Sequence, residues 1–172
     1  MGILSSRLHK EWERATGGRL GIGNDLVYVK SVCFDAFPFP GDVTEKQKNR
    51  IRTIAEAIDT HRKQRQQRHP RLTFSNMYAV MEQIYHGVNL KPQEAHVKEQ
   101  GDLDALMKLH ADLDAAVADA YGWPASLSTD EILTRLLDLN KQRAEEEKGG
   151  KIRWLRPEFQ NVAQPNRAVT PS

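Results

Sequence analysis

Between Leu103 and Ala120 the residues Leu103, Leu106, His110, Leu113, Val117 and Ala120 recur three and four positions apart. Only an α-helix puts that spacing on one face, and so long an apolar face has to be covered by other helices. Each Leu or Val buried along it contributes roughly 1.5–3 kcal/mol. Gly122 and Pro124 end the segment, one by admitting left-handed backbone and the other by lacking an N–H. At least this part of the chain is therefore constrained to a helical bundle.

Other segments follow the same pattern. Residues 3–15 place Ile3, Leu4, Leu8 and Trp12 at helical spacing, with Gly17-Gly18 as an expected left-handed stop. That pattern is already running at Ile3, with no Ser, Thr or Asp cap before it, which suggests a helix cut from a longer polypeptide. Thr44 with Gln47 forms a capping box ahead of a thin stripe of Ile51, Ile54, Ala55 and Ile58, in a helix stopped by Pro70. A second helix is predicted from Phe74 to His86, with Thr73 as cap and Gly87 as stop. A short one starts at Pro92 and runs toward Gln100. Ser128 with Glu131 opens a last helix carrying Ile132, Leu133, Leu136, Leu137 and Leu139.

The first forty residues are different. Leu26, Tyr28, Val32 and Phe34 share one parity and Val27, Val29 and Cys33 the other, as in a strand covered on both faces or one with a bulge. Phe37-Pro38-Phe39-Pro40 ends any ladder, because Pro donates no hydrogen bond and forces its predecessor to extended backbone. The expected fold is mainly α, a helical bundle preceded by a short, partly β segment. The boundaries are expected at 1–40, 41–160 and a disordered tail 161–172, with Trp154, Leu155 and Phe159 as anchors before it.

Several function classes find no support in the residues. No apolar run approaches the roughly 18 residues needed to span a membrane. Residues 1–12 lack the hydrophobic region and cleavage site of a secretory leader. The single Cys33 excludes an internal disulfide, sits among apolar neighbours as a buried thiol would, and fits the cytoplasm. Gly21 and Gly23 lack the third glycine of a dinucleotide loop, which leaves a turn or a close backbone approach to a ligand. The six His residues show no zinc spacing, and no metal is expected. Asp102, Asp104, Asp112, Asp114 and Asp119 fall between the seam positions, as a solvated face would.

Charge is unevenly spread. Residues 1–71 hold 14 Lys/Arg against 8 Asp/Glu, while residues 72–172 hold 11 against 15. An anionic partner is thus expected at the first part of the chain. Arg62, Lys63, Arg65, Arg68 and Arg71 form the densest basic run. It reads either as the solvated end of an over-long helix or as a row of phosphate contacts.

Taken in order, "GILSSRLHKEW", "GGRLGIGND", "SVCFDAFPFP", "AYGWP" and "RWLRPEFQ" resemble the carboxy-terminal part of large SAM-dependent adenine-specific DNA methyltransferases of the type IIG, MmeI-like restriction–modification group, over about residues 2–162. The resemblance implies that residues 1–40 close a DNA target-recognition domain and that the helices after it support DNA binding and pack on a methyltransferase core. It also implies a parent reaction of methyl transfer to adenine N6, with S-adenosylmethionine as the parent cofactor and double-stranded DNA as partner. Neither the SAM loop nor the Asn-Pro-Pro-aromatic motif of that family occurs in this sequence, so the chain itself is expected to hold no cofactor and to be inactive alone. A separate methyltransferase polypeptide is the implied protein partner, and no membrane is involved. Positions matching the family that would face DNA are Arg7, His9, Arg19, Asn24 and Lys30, to which the basic run adds Arg62, Lys63, Arg65 and Arg68. The alternatives are a stand-alone helical DNA-binding or adaptor protein using residues 61–71, and a degraded remnant with no independent role.

Overall fold

The computed structural model describes residues 2–20 and 25–151, without the side chains of Arg19, Leu20, Asp25 and Leu26. The described chain is mainly helical. Its α-helices are α1 (Arg7–Thr16), α2 (Glu45–Arg68), α3 (Phe74–Tyr85), α4 (Pro92–Gly101), α5 (Leu103–Tyr121) and α6 (Thr129–Lys148). Among the described residues no helix is long and apolar enough to cross a membrane. The Trp154, Leu155 and Phe159 anchors and the expected tail lie outside the described residues.

Local chemistry sets most of the helix ends. Thr44 and Gln47 cap α2 reciprocally, as Ser128 and Glu131 cap α6. At α3 the box is closed by Asn76, whose side chain accepts from the Thr73 N–H at 2.9 Å. Gly122 takes the left-handed conformation expected of it, with φ of 68°. Between α4 and α5 the chain turns on Asp102, also left-handed at φ 46°, a conformation that Asp tolerates better than most residues.

The start of α1 differs from expectation. The helix begins at Arg7 rather than Ile3, and residues Gly2–Ser5 form a 3-10 turn. Ser6 occupies the cap position, but its hydroxyl donates back to the Ile3 carbonyl at 2.6 Å. The first N–H of the helix, that of Arg7, instead donates to the Asp114 carboxylate of α5 at 2.7 Å. A cap is present, therefore, but it comes from another helix. Gly17 does not stop α1 with left-handed backbone either; its φ is −65°. It is a tight spot rather than a turn, since a Cβ there would lie 2.6 Å from the Glu13 carbonyl oxygen.

The long strand expected through Phe34 is not formed. Two three-residue segments, β1 (Gly18–Leu20) and β2 (Asp25–Val27), pair antiparallel, and the ladder stops there. Lys30–Phe34 winds into one π-helical turn instead. With no further strand among the described residues to pair against, coiling lets the segment satisfy its own N–H groups, as in Asp35 N–H to Lys30 carbonyl at 2.9 Å. The turn buries Cys33 completely and leaves Val32 and Phe34 partly in water. The Trp12 indole N–H donates to the Val32 carbonyl at 3.2 Å and ties the turn to α1.

The core is built around α5. Its Leu103, Leu106, Leu113 and Val117 are fully buried, as their spacing requires. Ile51 and Ile58 of α2, Met77 and Val80 of α3, and Ile132 and Leu136 of α6 belong to the same cluster. Leu8 and Trp12 join it from α1, and Phe37 from the Phe-Pro loop. The most extensive helix–helix contact is between α2 and α5.

Candidate nucleic-acid interface

A residue that contacts phosphate needs a free donor at the surface. Arg7 spends its guanidinium inside the protein: Nη1 donates to the Leu127 carbonyl at 3.0 Å and Nη2 to the Thr129 hydroxyl at 3.2 Å. It stitches the start of α1 to the start of α6. His9 is buried, with Nε2 3.2 Å from the Tyr28 hydroxyl and its ring edge-on to Phe37 at 4.7 Å. Burial lowers its pKa, which favours the neutral ring. Its other nitrogen finds no partner among the described residues. Lys30 is well exposed but paired with Asp35 at 3.1 Å. The backbone of Arg19 pairs opposite Leu26. The Arg19 side chain and the whole of Asn24 lie outside the described residues.

The basic run divides into two groups. Arg62 points inward: Nη1 donates to the Tyr78 hydroxyl at 3.2 Å, Nη2 to Asp59 at 3.4 Å, and the guanidinium lies over the Phe74 ring at 4.9 Å. Arg65 donates to two backbone carbonyls at the end of α4, that of Gln100 at 2.6 Å and that of Glu99 at 2.9 Å. His61 Nε2 lies 2.9 Å from the next carbonyl, that of Gly101. Gln66 donates to the Leu72 carbonyl at 3.1 Å. Lys63 is exposed and bonded to Asp59 at 2.6 Å, while Arg68 and Arg71 are exposed.

The second half of α2 is thus not released from the core, as its lack of apolar residues suggests. It is a polar clamp on the last carbonyls of α4, where the helix runs out of N–H donors and only that of Glu99 is also met by the Asp102 N–H, at 3.1 Å. The signal was in the spacing. His61 and Arg65 continue, three and four residues on, the face begun by Ile51, Ile54 and Ile58. Replacing Arg65 by Met should lower the unfolding free energy by about 2 kcal/mol, because two charge-assisted bonds go and the Gln100 carbonyl loses its donor. Urea denaturation reads this out, and an unchanged midpoint would show that the clamp carries no stability.

The acidic residues of α5 also split. Asp104 and Asp112 are exposed, as a solvated face would be. Asp114 is not: it is half-buried and accepts the Arg7 N–H, and burial raises its pKa. The spacing of α5 does set Asp114 apart, four residues after His110 and three before Val117, whereas Asp104, Asp112 and Asp119 have no seam residue three or four positions away; its partner, 107 residues away, is not marked.

Two openings flank the Phe-Pro loop. One is polar, edged by Gln47, Asp119, Tyr121, Trp123 and Arg143. The other is a mostly apolar groove of about 840 Å³ between the first residues, the loop and α2, lined in part by Ile3, Leu4, Phe34, Phe39, Val43 and Ile51. Elsewhere Tyr28, Val29 and Val32 are each at least a third exposed. Among the described residues no three His, Cys, Asp or Glu side chains are grouped as a metal would need.

No family model matches the chain, and no solved structure matches it. Over 65 residues it is 37% identical to DNA methyltransferase A of Bacillus subtilis (strain 168). That stretch is 37% of this chain and 7% of the longer protein, so the chain matches only a small part of the length of its curated relative. The identity supports a relationship to a DNA methyltransferase.

Proposed function

We propose that this chain is a non-catalytic part of an adenine-specific DNA methyltransferase system of the restriction–modification or phage-defence kind, corresponding to the carboxy-terminal region of a type IIG, MmeI-like enzyme. It contributes DNA recognition and packs on a methyltransferase polypeptide in the cytoplasm. The observation that carries this is the 65-residue identity to a DNA methyltransferase. The excess of cations in residues 1–71 supports the DNA half of the reading. The apolar groove and the exposed Tyr28, Val29 and Val32 support the packing half, since such surface is better covered than left in water.

Methyl transfer to adenine N6 requires the base to be turned out of the duplex and held against the methyl donor. S-adenosylmethionine supplies that methyl group in the parent reaction. The binding loop and catalytic motif for it would reside on the partner, because the sequence here has no Asn-Pro-Pro segment. The alternative, a stand-alone DNA-binding or adaptor protein working through residues 61–71, fits less well, because Arg62 and Arg65 are spent on the protein's own phenol and carbonyl oxygens. Titrating the purified chain with S-adenosylmethionine by calorimetry is expected to give only heats of dilution. A micromolar affinity would overturn the proposed division of labour.

A further inference from the structure

We propose that one flank of α2 is the surface that lies against duplex DNA, an inference that rests on the reading that this chain works on DNA. At about 100° per residue, Lys46, Asn49, Arg50, Gln64, Gln67 and Arg68 fall within about 100° of one another on the helix. All six are exposed. Lys46, Arg50 and Arg68 make no hydrogen bond or ion pair with any described residue. Other cations of the first seventy residues do: Lys30 with Asp35, Lys48 with Glu45, Lys63 with Asp59, and Arg7, Arg62 and Arg65 as described above.

The flank is also free of acids. Glu45, Glu56 and Asp59 lie outside that arc, Glu56 about 20° beyond its edge, and Glu45 and Asp59 are each engaged by a cation. Lys46 and Arg50 stand one turn apart, a like-charge spacing that slightly disfavours a helix and gains nothing within the protein. Each of these six side chains can donate a hydrogen bond, and the cations donate only. A phosphodiester backbone offers acceptors all along its length and no donors, so the two surfaces are complementary.

The dimensions fit B-form DNA. Lys46 to Arg68 spans about 33 Å at 1.5 Å per residue, close to the roughly 34 Å of one duplex turn. The major groove of B-DNA, about 12 Å wide, admits a helix edge, whereas that of A-form RNA is too deep and narrow. In this placement Lys46, Arg50 and Arg68 neutralise phosphates. Asn49, Gln64 and Gln67 sit between them, where amides can reach sugar, phosphate or base-edge acceptors.

The test is fluorescence anisotropy of the full chain with a labelled duplex of about two helical turns, read as log affinity against log salt. The triple variant K46Q/R50Q/R68Q is expected to flatten the slope by about 2–3 and to bind at least about tenfold more weakly near 0.1 M salt. Its circular dichroism and thermal midpoint should match the wild type, because the replaced groups have no internal partner. Lys108→Gln, a change on the exposed side of α5, should leave the slope unaltered. Duplex binding that the triple variant leaves unchanged overturns this inference while the DNA reading stands. No duplex binding by the wild type at low salt overturns both. Tighter binding to duplex RNA of the same sequence overturns DNA as the partner.

Discussion

Phe37→Ala is expected to lower the unfolding free energy by about 3–5 kcal/mol and the thermal midpoint by on the order of 10 °C. The ring is 4% exposed and meets three others edge-on: His9 at 4.7 Å, Phe39 at 5.0 Å and Trp12 at 6.1 Å. It is the wedge between α1 and the Phe-Pro loop. The backbone on either side of it is held independently. Asn140 of α6 donates to the Ala36 carbonyl, and the Tyr121 hydroxyl of α5 donates to the Pro38 carbonyl at 3.0 Å. Those bonds keep the loop from collapsing into the space the ring leaves, which puts the cost at the upper end for a cavity. Phe37→Leu, which refills part of the volume, should recover about half of the loss. Urea midpoints of the two variants decide the matter. If both matched the wild type, the loop would rest on its hydrogen bonds and not on the ring.

Much of the helical architecture was legible in the sequence because its causes are local. The capping boxes at Thr44 and Ser128 and the left-handed glycine at 122 depend on residues within one turn of each helix end. The face of α5 depends only on spacing. The failures have non-local causes. The strand expected through Phe34 has the right composition but, among the described residues, no partner strand beyond β1, and composition cannot reveal a missing partner. The cap of α1 comes from Asp114, far along the chain, so its absence from the preceding residues was misleading. Arg7 and His9 are expected at DNA only through the family resemblance, yet packing turns both inward. The basic run departs from expectation for a different reason. Apolar content does not decide which part of α2 meets the rest of the protein, because His61 and Arg65 meet it through hydrogen bonds on the same helical face.

Acid is expected to destabilise the protein between pH 6.5 and about 4, through His110. The ring faces α3 across the bundle, where the Tyr78 hydroxyl lies 2.9 Å from Nε2. Arg62 donates to the same hydroxyl oxygen, so the phenol proton is directed to Nε2, and this requires an unprotonated nitrogen there. Burial, first, and the nearby Lys10 and Arg62 charges lower the His110 pKa from 6.5 to about 4. Within that window the unfolded chain binds a proton that the folded chain refuses. Stability is therefore complete above pH 6.5 and is lost progressively as the pH falls toward 4. After discounting for partial exposure the loss at the acid end is roughly 2–3 kcal/mol. His9, lowered by burial, adds to it in the same direction. Asp114 opposes it, since burial raises its pKa and the folded state holds that proton more firmly than the unfolded one. Urea denaturation at pH 7 and again near the acid end should show the drop in the wild type. His110→Gln keeps an acceptor for the Tyr78 hydroxyl but cannot titrate, so at least half of the drop should vanish. A variant whose stability falls as steeply as the wild type's would place the acid sensitivity elsewhere, with His9 as the next group to replace.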